Sequence, residues 1–151
     1  MKLSTRTRYG LRAMIELASY GSSGPIMVRK IAEKQQISKK YLDIIFTSLK
    51  VAGLVRAIRG ATGGFLLTRA PKDIRISEIV SALEGALAPV ECCQSPEVCD
   101  RSHHCAAQVL WNQLAAAIQD TLDSTTLADL VASQARLDAE PPFCPTQKVA
   151  D

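Results

Sequence analysis

The 151-residue sequence has little of several features that mark particular classes of protein. It contains no run of 18 or more apolar residues, which a membrane-spanning helix would require. The N-terminal residues lack the apolar segment of a signal peptide, so we expect a cytoplasmic protein that does not bind membranes. Aromatic residues make up only 5% of the chain while 47% is hydrophobic, a balance typical of a mostly helical protein.

The cysteine and histidine contents argue against two further classes. Five cysteines are an odd number, and a cytoplasmic chain keeps its thiols reduced, so a disulfide framework is a poor explanation. Only two histidines occur, and both stand in a cysteine-containing stretch, so no Cys/His/Asn or Ser/His/Asp set is recognisable. We therefore predict that the chain is not an enzyme and that its thiols serve metal binding or redox chemistry.

Acidic residues are scarce in the first half of the chain. Residues 1–75 carry 15 Lys and Arg against 4 Asp and Glu, a balance of +11, whereas residues 76–151 carry 3 against 11, a balance of −8. A basic half could simply be a solvated surface, or it could bind the phosphates of a nucleic acid. The organisation of this half favours the second interpretation.

The basic half has the pattern of a helix-turn-helix. Apolar residues at helical spacing predict a first helix over residues 4–20, and a short helix over residues 28–35 follows it. After a break, Ser38 can cap a third helix that ends near Ala52. The apolar stripe of that helix would face the core, and its polar face would carry Lys39, Lys40, Asp43, Thr47 and Lys50. A short helix, a tight turn and a polar-faced helix are typical of DNA-binding proteins.

A glycine-rich turn follows the third helix. Residues 54–59 and 65–68 have the composition of two short strands, and Gly60, Gly63 and Gly64 lie between them. This pattern predicts a β-hairpin wing in which Arg59 could enter a minor groove. A winged helix is therefore the predicted fold, mainly α with a small sheet. We predict these DNA-contacting residues: Lys39, Lys40, Tyr41, Asp43, Thr47, Arg59, Gly60, Gly63 and Gly64. Tyr41 could instead be only a packing residue.

The second half is predicted to be helical and acidic. A helix over residues 76–87 leads into the cysteine loop, and a long helix follows over residues 105–122. Because we expect upstream elements to close the winged-helix core, the apolar stripe of the long helix is predicted to form a homodimer interface. That stripe consists of Trp111, Leu114, Ile118 and Leu122. A short return helix over residues 127–131 would be followed by a disordered tail over residues 133–151.

Three cysteines stand at equal intervals of six positions: Cys93, Cys99 and Cys105. Thiolates select soft metals and iron-sulfur clusters. Structural zinc sites usually pair cysteines that are two to four residues apart, so the wider spacing favours a loop wrapped around a larger cluster. Zinc is the alternative metal. The extra Cys92 beside Cys93 leaves the choice of the first ligand open.

From Met1 to about Ala132 the sequence resembles the Rrf-two family of bacterial winged-helix regulators, whose cluster-binding members include IscR, NsrR and RirA. The resemblance is carried by residues 3–13, 39–42 and 59–67 and by the cysteine trio. It implies a homodimer that binds palindromic double-stranded promoter DNA. It also implies an iron-sulfur cluster, [2Fe-2S] or [4Fe-4S], through which iron, redox state or nitric oxide is sensed.

The sequence departs from the family at the fourth cluster ligand. IscR-like members have a histidine three residues after the last cysteine, where this chain has Gln108, and NsrR-like members use an acidic residue near the position of Arg8. The fourth ligand therefore stays open among Cys92, Asp100, His103, His104, Gln108 and a non-protein molecule, while Cys144 is expected to be uninvolved. A regulator without a cluster, responding to thiol oxidation or to a partner protein, is the alternative function.

The predicted domain organisation follows the change in charge. Residues 1–75 form the winged helix-turn-helix domain, and residues 76–132 form the cluster-binding loop and the dimerisation helices. Residues 133–151 form the tail.

Overall fold

A computed structural model describes residues 3–21, 23–60, 62–85, 87–101 and 104–139. The chain begins with helix α1 (Thr5–Ser19). Ser4 caps this helix, because its hydroxyl oxygen accepts a hydrogen bond from the Thr7 N–H at 3.2 Å. Residues Ala13, Met14 and Leu17 recur at helical spacing and are buried, so one face of α1 packs into the core.

Helices α2 (Val28–Gln35) and α3 (Lys39–Val51) form the predicted helix-turn-helix. Gln36 ends α2 in the left-handed conformation with φ of 54°, which reverses the chain within a few residues. Ser38 caps α3 as predicted by accepting a hydrogen bond from the Tyr41 N–H at 3.2 Å. The apolar stripe of α3 is completely buried and consists of Leu42, Ile45, Phe46 and Leu49.

Strands β1 (Val55–Ile58) and β2 (Gly64–Leu67) form the predicted hairpin. They pair antiparallel, with Val55 opposite Leu67 and Ile58 opposite Gly64. Ile26, just before α2, extends the sheet by exchanging two backbone hydrogen bonds with Phe65, at 3.0 and 2.8 Å. The rings of Phe46 and Phe65 lie 4.7 Å apart, so the hairpin is fixed to α3 by aromatic packing.

The core also includes elements from the acidic half. Helix α4 (Ile76–Glu84) places Ile76, Ile79, Val80 and Leu83 in the same apolar cluster as α1 and α3. It ends three residues before the predicted position because Gly85 takes φ of 85°. Helix α6 (Leu127–Ala139) adds Leu127, which is fully buried, so upstream elements alone do not close the core.

Helix α6 corrects two predictions about the C-terminal region. The return helix continues to Ala139 and does not end at residue 131, and residues 133–139 are helical and not part of a tail. Two backbone hydrogen bonds hold the start of α6 on the core, from Ile76 N–H to the Thr125 carbonyl at 3.0 Å and from Leu127 N–H to the Ile74 carbonyl at 2.9 Å. The rest of the predicted tail, residues 140–151, lies outside the described residues.

Helix α5 (Ala106–Ser124) differs from every other helix above, because none of its residues is buried. Leu114 is 43% exposed, and Val109 and Leu110 are more than half exposed. Trp111, Ile118 and Leu122 are partly covered. Within the described ranges, none of the helices combines the length and apolarity needed to cross a lipid bilayer.

Candidate DNA interface and cysteine loop

The first turn of α3 carries the predicted cations Lys39 and Lys40, and both are exposed. Lys39 Nζ lies 2.8 Å from the Asp43 carboxylate, one turn further along the helix. This ion pair neutralises the only acidic side chain of α3, so Lys40 and Lys50 are left to set the charge of its exposed face. That surface can attract a polyanion.

Tyr41 and Thr47 also lie on α3, but both make contacts within the protein. The Tyr41 ring is partly buried and packs edge-on against Tyr9 of α1, with the ring centroids 6.1 Å apart. The Thr47 hydroxyl donates a hydrogen bond to the Asp43 carbonyl at 2.7 Å. Packing against Tyr9 is therefore one role of Tyr41. Contact of Tyr41 with DNA stays a prediction.

The wing places Arg59 on the surface, directly after β1. Gly60 takes φ of 116°, which side-chain-bearing residues rarely adopt. Gly64 is required for a different reason, because a Cβ atom there would lie 2.4 Å from the backbone of Ile26. The glycines thus allow the turn and its packing against Ile26. Nothing in these contacts requires DNA, and the assignment of Gly60, Gly63 and Gly64 as DNA contacts stays a prediction.

The three cysteines lie at defined points of the segment between α4 and α5. Cys93 ends a single turn of 3₁₀ helix (Glu91–Cys93), and Cys99 follows a second such turn (Pro96–Val98). Cys105 is the N-cap residue of α5. All three, together with Cys92, are free thiols of intermediate burial. The segment therefore presents thiols at the start of the uncovered helix.

The thiols also influence one another. Partial burial raises the pKa of Cys92, and the neighbouring thiols of Cys93, Cys99 and Cys105 raise it further. Across the described part of the chain, no group of three or more His, Cys, Asp or Glu side chains is arranged tightly enough to hold a metal ion. The donor chemistry fits an iron-sulfur cluster, because thiolates are its usual ligands, but the segment would have to contract around it.

The candidates for a fourth ligand are placed differently. The Gln108 amide donates a hydrogen bond through Nε2 to the Cys92 carbonyl at 3.0 Å, so this side chain ties α5 to the first turn of the loop. Asp100 and His104 are exposed in the loop. His103 and Cys144 lie outside the described residues.

A polar cluster that the sequence did not reveal joins α1 to the end of α4. Glu84 is the last residue of α4, and its carboxylate accepts a hydrogen bond from the Ser4 hydroxyl at 2.6 Å and from the Ser4 N–H at 3.2 Å. The Thr7 hydroxyl also donates to it. These hydrogen bonds, led by that of Ser4, lower the pKa of Glu84. These hydrogen bonds hold the end of α4 on α1, at the point where the chain leaves the core and continues into the cysteine segment.

Arg6 continues this polar cluster to α3. Its guanidinium donates a hydrogen bond through Nη2 to the Ser48 hydroxyl, and its charge also lowers the pKa of Glu84. Arg6 is 42 positions from Ser48 and 78 positions from Glu84 in sequence, so no local pattern could have indicated these contacts. It links the end of α4 to the helix that carries the predicted DNA contacts.

A second unexpected polar group is Glu16 of α1, which is only 5% exposed. Its carboxylate pairs with Lys34 Nζ at 2.8 Å and accepts a hydrogen bond from the Gln35 amide at 2.9 Å. Hydrogen bonding to Glu16 raises the pKa of Lys34. Glu16 therefore joins α1 to α2, and its burial is explained by internal pairing.

A helix-turn-helix, a hairpin wing and a basic exposed face together define a winged-helix, DNA-binding transcriptional regulator. The chain belongs to the Rrf2 family, because residues 3–133 match the family profile described as "Iron-dependent Transcriptional regulator". It is 40% identical over 131 residues to Protein rrf2 of Nitratidesulfovibrio vulgaris, covering 87% of each chain. Membership confirms the predicted family and identifies the protein as a regulator, not an enzyme.

Solved structures of two relatives have the same architecture. CymR, the global cysteine regulator of B. subtilis, aligns with a TM-score of 0.76 at 39% identity, covering 88% of this chain and 98% of that one. IscR of T. potens aligns with the same TM-score at 33% identity, covering 93% of each chain. The predicted winged-helix fold is thus confirmed.

Proposed function

We propose that this protein is a homodimeric, cytoplasmic regulator that senses iron, redox state or nitric oxide through an iron-sulfur cluster held by Cys93, Cys99 and Cys105. The observation that carries the proposal is the position of these free, partly exposed thiols in one segment between α4 and α5. Thiolates are the ligands such clusters prefer. When bound, the cluster supplies an iron atom that can exchange an electron or a ligand.

DNA reading is assigned to residues 1–75 and, within them, to α3 and the wing. The exposed Lys39, Lys40 and Arg59 would contact phosphates or enter a groove. Tyr41, Asp43 and Thr47 would lie nearest the bases, with the wing glycines allowing close approach of the backbone. The basic charge of this half supports the assignment.

Cluster binding and dimerisation are assigned to residues 76–132. The uncovered apolar surface of α5 supports a homodimer, because two copies packed along this helix would remove Leu114 and its neighbours from water. A two-fold dimer would place two α3 helices on successive major grooves, roughly 34 Å apart.

The position of the cysteine segment suggests how sensing could alter DNA binding. Its first residues follow Glu84, which accepts a hydrogen bond from Thr7 of α1, and its last cysteine, Cys105, stands at the N-cap position of α5. Contraction of the segment around a cluster would fix α4 relative to α5, and loss of the cluster would release it. The fourth ligand is not a cysteine of the trio, so that position is where an effector would act.

The second candidate is a regulator that works without a cluster. The similarity to CymR supports it, because that relative is described as the global cysteine regulator of B. subtilis and not by a metal or a cluster. In this case the thiols of the segment would respond to oxidation, or a partner protein would supply the signal. The iron and sulfide content of the purified protein separates the two candidates.

The test is the iron and sulfide content of the full-length protein after anaerobic purification, read together with its visible absorption. The proposal predicts a coloured protein that contains both elements, and a colourless Cys99→Ala variant that has lost them. Cys144→Ala, at a cysteine expected to be uninvolved, is the matched control and should change neither the iron and sulfide content nor the colour. A colourless, iron-free wild-type protein would contradict the proposal, and so would a Cys99→Ala variant that keeps all of its iron and sulfide.

A further inference from the structure

The exposed face of α3 has an apolar side chain at its centre. Ile44 is 51% exposed, although four other apolar residues of the same helix are completely buried in the core. Lys40, Ile44 and Thr47 are spaced at four and three residues, which places them on one helix face. An apolar side chain therefore stands between the cation of the first turn and the threonine of the third.

The polar groups beside Ile44 already make contacts within the protein. The Asp43 carboxylate is paired with Lys39 at 2.8 Å, and the Thr47 hydroxyl donates a hydrogen bond to the Asp43 carbonyl at 2.7 Å. The Ser48 hydroxyl is held by Arg6. Each of these polar side chains thus has a contact within the protein, and Ile44 is the exposed apolar side chain among them.

The surroundings of Ile44 indicate what covers it. Exposed cations lie on both sides along the helix, at Lys39, Lys40 and Lys50, and residues 1–75 carry a net charge of +11. A polyanion matches this charge, whereas an apolar protein surface would have to bury the lysines. In the major groove, the apolar group that DNA presents is the C5-methyl of thymine.

We propose that Ile44 is a specificity-determining residue that contacts the C5-methyl group of a thymine in each half-site. This inference rests on the proposed use of α3 as the DNA-reading helix. It predicts that part of the sequence preference comes from a methyl group and not from hydrogen bonds. Replacing that thymine with uracil would remove the contact and leave base pairing intact.

The test uses a duplex selected by the wild-type protein from a randomised double-stranded library. Each thymine of one half-site is replaced in turn by uracil, and affinity is measured for the wild type and for Ile44→Ala. We expect one uracil position to weaken wild-type binding about fourfold, the effect of one buried methyl group. Ile44→Ala should bind the thymine and uracil duplexes equally.

Two controls keep the test specific. Ile44→Ala should fold, because its side chain is half exposed and alanine is a strong helix former; circular dichroism checks this. Leu137→Ala removes a 63% exposed apolar side chain from α6 and should retain the uracil effect.

The outcomes separate this inference from the proposed function. Selective DNA binding with no uracil-sensitive position, or with the same sensitivity in Ile44→Ala, would overturn the proposed role of Ile44. The proposed DNA interface would survive that result. If selection enriched no sequence at all, the proposed function would fail together with this inference.

Discussion

The packed core and the α5 region contrast in how they treat apolar side chains. Helices α1, α3 and α4 bury their apolar faces, and α6 joins them through Leu127. Helix α5 has no buried residue, although apolar side chains occur along its length. The first region is complete within one chain, whereas the exposed apolar side chains of the second, such as Leu114, would be buried only by association with another surface.

The cysteine segment lies between these two regions. The segment begins at a fixed point, because Glu84 is hydrogen-bonded to Ser4 and Thr7, and it ends at Cys105, where α5 begins. Under the proposed function, a change in the segment would act on α5 while the core stays packed. The arrangement suits regulation, since a ligand shifts the relative position of two parts without unfolding either.

The largest effect is expected on folding stability, from a substitution in the packed core. Leu42 is completely buried, so Leu42→Ala should lower the free energy of unfolding by about 2 to 5 kcal/mol. Urea unfolding of the purified protein measures this. Leu137→Ala makes the same substitution at a site that is 63% exposed and should change stability by less than about 0.5 kcal/mol. Equal losses in both variants would contradict the assignment of the core.

The next largest effect is expected on dimer affinity, from a substitution on the exposed surface of α5. Leu114→Glu would bury a charge without a partner in a dimer built along α5, so the dimer should weaken by about a hundredfold or more. Sedimentation velocity at low micromolar concentration measures the change. Gln113→Glu adds the same charge at the exposed neighbouring position and should remain dimeric. If Leu114→Glu also remained dimeric, another surface would have to form the interface.

A smaller effect is expected at the DNA interface. Substituting Lys39, Lys40 and Arg59 together by alanine should reduce affinity about tenfold or more for a duplex selected by the wild type. The log-log salt slope should fall by about one unit for each lost phosphate contact. Arg136→Ala, on α6, is the control and should retain both values. Unchanged affinity and slope in the triple variant would remove α3 and the wing from the interface.

The smallest effect concerns Glu84, at the junction of the two regions. Glu84→Gln should destabilise the protein by about 1 kcal/mol at neutral pH, because charge-assisted hydrogen bonds from Ser4 and Thr7 are weakened. The folded-state pKa is lowered, so the carboxylate stabilises the fold above its ordinary pKa of about 4.3, and this contribution is lost as pH falls through the lowered value.

Urea unfolding of wild type and Glu84→Gln between pH 3 and 7 tests this sign. The difference in the free energy of unfolding between the two proteins should be greatest at pH 7 and shrink below about pH 4. Glu97→Gln, at an exposed site in the cysteine segment, should show no such difference. A gap that widens towards low pH would contradict the hydrogen-bonded, ionised state of Glu84.

Local patterns in the sequence were sufficient for most of the winged helix. Apolar spacing, the Ser38 cap and the glycine-rich turn each act over a few residues, so α1, α2, α3 and the hairpin were predicted nearly to their ends. The end of α4 was placed too late because a glycine stops a helix without altering its apolar pattern. The extension of α6 to Ala139 was missed because its last turns bury little.

Contacts between distant residues could not be predicted. The bonds from Ser4 and Thr7 to Glu84, and from Arg6 to Ser48, join residues more than 40 positions apart. From the sequence, Ile44 was assigned to neither face of α3, and its exposure is known only from the structure. At the cysteine segment, the sequence predicts that thiolates are the metal ligands. The identity of the fourth ligand depends on how the segment folds around the cluster.

The most direct test of the regulatory account is the affinity of one anaerobically purified sample for its selected DNA, measured before and after chelation and removal of the cluster. Coupling of about 1 to 3 kcal/mol between the two sites predicts that affinity changes by roughly 5 to 150-fold. The Cys99→Ala variant should show the cluster-free affinity throughout. Equal affinity before and after removal, with a bound cluster demonstrated at the start, would contradict the account.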